Sequence, residues 1–151
     1  MITLPLPLAI LFLALYPFLL LGVLVLAGWI ISRLSGWAAL AARYSEETAF
    51  AGPRFSGQSG ELNGFYYGKG LTLGANQEGF FLSMGILFRV GHKPLFIPWT
   101  DVTAVEKPGV LSPKVILEFR RAPGVVLKFS KATVLKLKAK VGAGNVFESI
   151  R

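Results

Sequence analysis

Residues 8–31 read LAILFLALYPFLLLGVLVLAGWII, 24 residues with no charged side chain. As an α-helix they would extend about 36 Å, against a bilayer hydrocarbon core of about 30 Å. The stretch is long enough to span with some tilt. Pro5 and Pro7 precede it where an extended lead-in or a first helical turn accepts proline, and Pro17 inside it removes one backbone hydrogen bond and predicts a kink. Splitting at Pro17 would leave two pieces, each below the roughly 17 residues that a crossing requires. One span is therefore expected, with residues 1–34 as the transmembrane unit.

A cleaved secretory leader competes with this reading, with Val25 and Ala27 as small residues ahead of a cut. No basic residue precedes the apolar run, however, and the run exceeds the roughly 7–15 residues of a leader's apolar stretch. The first cationic side chains, Arg33 and Arg43, come just after the span. The positive-inside bias then puts the N-terminus outside and the rest of the chain in the cytoplasm. Trp29, Arg33, Trp37 and Arg43 are expected as anchors at that membrane–water boundary. Gly28, Ser32 and Gly36, spaced by four, strip one helical face of bulk and predict a helix-packing interface, against chance placement in a chain with 17 glycines.

Beyond the span, Ser35 is a candidate cap and Trp37, Leu40, Ala41 and Tyr44 recur at helical spacing. Residues 35–47 thus predict an amphipathic helix, lying at the membrane surface or on the following domain, with Arg43 and Glu46-Glu47 where charge returns. Simple continuation of the transmembrane helix is the alternative.

From residue 48 onward the texture changes to short β-type runs separated by Gly and Pro. The predicted strands are 54–59, 70–74, 80–84, 86–90, 95–98, 102–107, 114–120 and 125–129, with turns at 75–79, 91–94, 108–109 and 122–124. That spacing predicts an antiparallel sandwich or barrel. Ser130 as cap and Gly142 as stop favour a closing helix over 131–141 with Val134, Leu137 and Val141 on one face, although the same residues also alternate as a strand would. The 151-residue chain is 53% apolar, so one domain of about 100 residues plus a membrane segment is the whole expectation, which excludes a polytopic transporter and a multidomain enzyme. Having no Cys, it excludes disulfide scaffolds, Cys-ligated zinc and thiol chemistry.

Three runs then carry a resemblance. Gly70-Leu71-Thr72-Leu73, Gly79-Phe80-Phe81-Leu82-Ser83 and Pro94 through Val102, with its Ile97-Pro98 corner, follow the order of GRAM-like domains. With Trp37 to Tyr44 and the run from Leu87 to Trp99, most of the chain resembles uncharacterised bacterial proteins that carry one N-terminal transmembrane helix. The resemblance implies a mainly-β domain of the pleckstrin-homology-like (PH-like), GRAM-like kind closed by a C-terminal helix, which the charge bias at Arg33 and Arg43 puts in the cytoplasm, beneath a bacterial inner membrane. It implies no activity.

Sequence chemistry is sparse. His92 sits in an expected turn, where a ring-to-backbone hydrogen bond is its simplest role; a hydrolase would have to pair it with Asp101 without a nucleophile elbow. One His, no Cys and eight scattered carboxylates predict no metal site, and Gly68, Gly70 and Gly74 precede a strand rather than a helix, so no nucleotide and no other cofactor is expected. Charge is more informative: the net is +8, and between Lys107 and Lys140 nine basic residues face Glu118 alone. Lys114, Arg120, Arg121, Lys128, Lys131, Lys136 and Lys140 are the candidate surface for an acidic protein partner or for anionic headgroups without lipid specificity. In PH-like domains that recognise a particular headgroup, basic residues cluster on the first two strands. Here that region offers only Arg54 and Lys69. Nucleic acid is not expected, given the tether and the absence of an RNA-binding aromatic signature. The leading expectation is a non-catalytic accessory or scaffold subunit docked on an integral membrane protein complex; a tethered anionic-lipid binder comes second and a small hydrolase using His92 third.

Orientation gives the first test. A reporter active only outside the cytoplasm, fused to the C-terminus, should stay silent; activity there would reverse the topology and revive the leader reading.

Overall fold

The computed structural model describes residues 5–45 and 49–141. Helix α1, Leu6–Leu34, is long and apolar enough to cross a membrane, with Pro7 in its first turn and Pro17 in its interior. None of its most apolar window is covered by the rest of the chain. A surface like that has no stable home in water, which makes α1 a candidate span. At its end the chain does not simply continue. Gly36 adopts φ +86°, a left-handed conformation that side chains with a Cβ resist, and Asn63 and Val125 crowd the space a Cβ would need. Helix α2, Trp37–Tyr44, therefore starts in a new direction after only Ser35 and Gly36. Gly36 rather than the expected Ser35 occupies the N-cap of α2, and no side chain caps the helix; Ser35 Oγ, one residue earlier, accepts a long hydrogen bond from the Trp37 amide at 3.4 Å.

The β-domain is one seven-stranded antiparallel sheet, nearly closed into a barrel: β1 Arg54–Leu62, β2 Phe65–Ala75, β3 Gly79–Met84, β4 Leu95–Pro98, β5 Val102–Lys107, β6 Lys114–Phe119 and β7 Ala122–Ser130, in the order β4-β3-β2-β1-β7-β6-β5. Strand β1 joins the first four strands to the last three, but it pairs with β7 only at Glu61–Lys128 and Leu62–Leu127. Between the two edge strands, β4 and β5, a 3-10 turn at Trp99–Asp101 carries the chain across. Helix α3, Lys131–Val141, closes the domain; Ser130 Oγ receives the Thr133 amide at 3.2 Å, and Val134 and Leu137 are buried. Helix is thus the outcome for the segment with two periodicities. Gly142 and Glu46-Glu47 lie outside the described residues, as does the side chain of Val141.

Three expectations fail in the sheet, one of them the turn expected at 122–124, which is the start of β7, the turn itself falling at Arg120-Arg121. The stretch 86–90 is not a strand: Gly85 N–H closes the ladder on the Gly70 carbonyl, and Ile86–Phe88 turns away as a 3-10 helix. Strands β1 and β2 are also longer than expected, because Asn63 (φ 46°) and Gly64 (φ 86°) form a two-residue hairpin between them. Positive φ at both central residues is what the favoured two-residue hairpin turn requires.

The core draws on every layer. Trp37, Leu40 and Tyr44 of α2 enter it with Leu62, Leu71, Phe80, Leu82, Leu95, Ile97, Leu117, Leu127 and Phe129 of the sheet. Helix α2 is accordingly laid on the barrel by its apolar face. Pro98 ends the edge strand β4, where its missing N–H costs no ladder bond. Ile97 is fully buried and pairs with Phe80 across β3 and β4. Ile97→Ala should cost the barrel about 2–5 kcal/mol in urea unfolding of the detergent-solubilised chain. A loss under about 1 kcal/mol would mean that the β4 edge is not part of the cooperative core.

Candidate functional site

The region with the densest specific chemistry is the junction of α1 with the barrel. The connection from β3 to β4, residues 85–94, reaches back to the end of α1. Gly91 has φ +76°, and a Cβ there would lie 3.0 Å from the Trp29 Cα and 3.4 Å from the Ser32 Cβ. A Cβ on Gly28 would in turn lie 3.1 Å from the Val90 carbonyl oxygen. Ser32, itself buried, donates its hydroxyl to the Gly91 carbonyl. Small residues thus face small residues: the sequence stripe Gly28, Ser32 meets the chain's own loop, and Gly36 is the turn between the helices. The face expected to receive a neighbouring helix is filled here from within the molecule.

Below this contact runs a buried polar chain. Trp37 Nε1–H donates to the Lys93 carbonyl at 2.9 Å, and its ring lies edge-on to His92, with centroids 5.0 Å apart. His92 Nδ1 is 3.2 Å from the Val90 carbonyl, which can only accept, so this nitrogen carries the proton and Nε2 accepts from the Tyr67 hydroxyl at 3.2 Å. Tyr67 then accepts from Ser35 Oγ at 2.8 Å. The result is a directional relay from Ser35 through Tyr67 and His92 to Val90, tying the interhelical turn to β2 and to the docking loop. Burial holds the His92 pKa below its ordinary value despite opposing backbone hydrogen bonds, and raises that of Tyr67 against its bond from Ser35. Both groups are accordingly neutral at neutral pH. The turn-fixing bond expected of His92 is present. Asp101 is engaged elsewhere, by Arg121 Nε at 2.5 Å.

The predicted boundary anchors separate. Arg33 stacks over the half-exposed Trp29 ring at 4.3 Å, and Arg43 is exposed near the end of α2. Trp37, expected at the lipid boundary, is instead 1% exposed in the barrel core, because α2 folds onto the domain. The predicted basic surface is partly neutralised. Glu61 lies 3.1 Å from Lys128 and 3.9 Å from Lys114, within a groove of about 310 Å³ between β1 and β7 that Lys69 also lines. Glu106 holds Lys131 at 2.9 Å, and Arg121 adds a contact 4.5 Å over the Tyr44 ring to its bond with Asp101. Exposed pairs of this kind contribute about 1 kcal/mol at most, but they cut the field that an anion meets. Arg120, Lys136 and Lys140 are exposed. Among the described residues no group of three or more His, Asp and Glu is placed to hold a metal ion.

The sequence reading missed the loop side of this junction. Its signal was present in Gly91-His92, a glycine needing positive φ beside the chain's one histidine. Comparison of the chain with protein-family models, with curated proteins and with solved structures finds no match.

The His92 relay predicts a pH dependence. With a folded pKa below the unfolded value of about 6.5, the unfolded chain binds more protons just below that value, so stability falls as pH drops through it and is fully present above it. Urea unfolding of the wild-type chain should show a loss between about pH 7.5 and pH 5.5 that is smaller in His92→Gln. Equal slopes for the two chains would remove His92 as a buried neutral group.

Proposed function

We propose that the chain is a non-catalytic accessory subunit of a bacterial inner-membrane complex, in which a PH-like, GRAM-like barrel is held in a fixed pose on the cytoplasmic side by its own transmembrane helix. The observation that carries this reading is the short, locked connection. Only Ser35 and Gly36 separate α1 from α2, α2 supplies Trp37, Leu40 and Tyr44 to the barrel core, and the 85–94 loop grips α1 at Gly28 and Ser32. A sensor that searches for soluble ligands gains from a long flexible tether. A subunit that must present one surface at one height above the bilayer gains from a rigid one. The strand order, with four strands joined through β1 to three and a helix at the end, supports the PH-like assignment.

With the Gly28 and Ser32 face occupied, the uncovered remainder of α1 and the outer surface of the barrel are left to meet the partner. Diffuse attraction of Arg120, Lys136 and Lys140 to anionic headgroups would add to anchoring without replacing the partner. The proposal predicts that purification of the full chain from native membranes in mild detergent brings a second integral membrane protein in fixed ratio, at high salt as at low. A chain that elutes alone, yet binds anionic vesicles in a salt-sensitive manner, would instead support the lipid-binding reading.

A further inference from the structure

The residues that leave the sheet after β3 form a largely exposed apolar tip. Ile86 is 78% exposed, Phe88 56% and Val90 45%, within a single turn of chain. Three large apolar side chains this close together on a soluble surface would be a liability. Their position supplies the reason. Val90 and Gly91 lie directly on α1 at Gly28, Trp29 and Ser32, on the last turns of the apolar segment rather than beyond it. From Leu8 to Trp29 the helix extends about 33 Å, roughly the thickness of the hydrocarbon core. Trp29, with the Arg33 guanidinium stacked on it, is the kind of amphipathic pair that settles at the headgroup level. A loop in contact with Gly28 and Trp29 stands at that same level.

We propose that the turn from Ile86 to Val90 inserts into the headgroup–acyl boundary of the bilayer beside α1, giving the barrel a second membrane contact besides its helix. This rests on α1 spanning the bilayer. Charge agrees with the location. Arg89 and Lys93 are exposed around the apolar tip, and no acidic residue occurs between Glu78 and Asp101. An apolar tip with flanking cations is the composition that anionic lipid interfaces accept. Another exposed apolar tip, Val110-Leu111, provides a contrast. Strand β6, which follows it, starts opposite Ser130, whereas the turn leaving α1 lies against Val125, five residues back along β7. The 110–111 tip is thus at the other end of that strand, about 17 Å away along it.

Because the chain has no native cysteine, single positions can be labelled directly. Full-length Ile86→Cys and Phe88→Cys, each carrying an environment-sensitive fluorophore, are reconstituted at low density into phosphatidylcholine vesicles containing phosphatidylglycerol. Leu111→Cys serves as the aqueous reference and Leu19→Cys as the check on the span. At positions 86 and 88 the expected result is blue-shifted emission that lipids with a nitroxide near the headgroup quench, with water-like emission at 111. Water-like emission at 86 and 88 while the Leu19 probe is lipid-quenched would overturn the proposal and leave the span intact. Emission that is blue-shifted but insensitive to nitroxide lipid would show protein cover, such as a second copy, and would overturn it as well. A Leu19 probe in water would refute the span itself and the insertion with it.

Discussion

The structure depends on a close approach at one point, where glycine and serine on α1 let the backbone of the β3–β4 loop lie directly against the helix. A Cβ on Gly91 would press on the Trp29 backbone and one on Gly28 on the Val90 carbonyl, so neither side has room to spare. Ser32 bonds the Gly91 carbonyl inside this contact. Everything that follows in the chain is positioned from there. The helix ends two residues later, Gly36 turns it, and Trp37 drops into the core with its indole N–H on the next residues of the same loop. Helix, turn and loop form a closed circuit, which is why a helix without internal cover can still hold a fixed relation to the domain.

Polar groups at the junction are spent on holding it. Ser35, Tyr67 and His92 are buried, and each finds a partner in the next; among the described residues no buried side-chain nitrogen or oxygen lacks one. An unsatisfied buried polar group costs about 1–3 kcal/mol, so a relay that is complete favours one arrangement over its neighbours. A histidine so engaged is a structural group. Its neutral state is part of the lock, since burial opposes the charge that a proton would bring. The same logic limits the basic surface, where Glu61, Glu106 and Asp101 each take up a cation that composition alone would have counted as free.

Much of the architecture could be read locally, because α1 is an unbroken apolar run, α2 presents Trp37, Leu40 and Tyr44 at helical spacing, and Gly and Pro punctuate the strands. The long apolar helix α1 is legible from length and composition alone, and α3 from Ser130 and the Val134, Leu137 pair. Where the reading failed, local pattern was ambiguous. Ile86, Phe88 and Val90 alternate as a strand's core face would, yet all three are exposed, and periodicity cannot say whether the apolar side meets protein or something else. Asn63-Gly64 is a hairpin signal, but the flanking Gly60 and Gly68 dilute the strand pattern around it. Trp37 carried two expectations, a boundary indole and a member of the apolar face of an amphipathic helix that lies at the membrane surface or on the following domain; the choice depends on Gly36 turning α2 back onto the barrel, a tertiary consequence that no window around Trp37 contains. The meeting of Gly28 and Ser32 with Gly91, 59 residues beyond Ser32, is likewise a contact that only the fold creates.

A helix long and apolar enough to cross a membrane, joined rigidly to a small barrel, would fix the height and the orientation of the barrel above a bilayer, and that is the property on which the proposed role rests. The direct measurement is a distance distribution. Nitroxides placed at Leu24→Cys on α1 and Glu118→Cys on the exposed side of β6, in the reconstituted full chain, report the pose by pulsed electron paramagnetic resonance. The account predicts one narrow distance. A broad distribution, as from a barrel swinging on a two-residue linker, would contradict it.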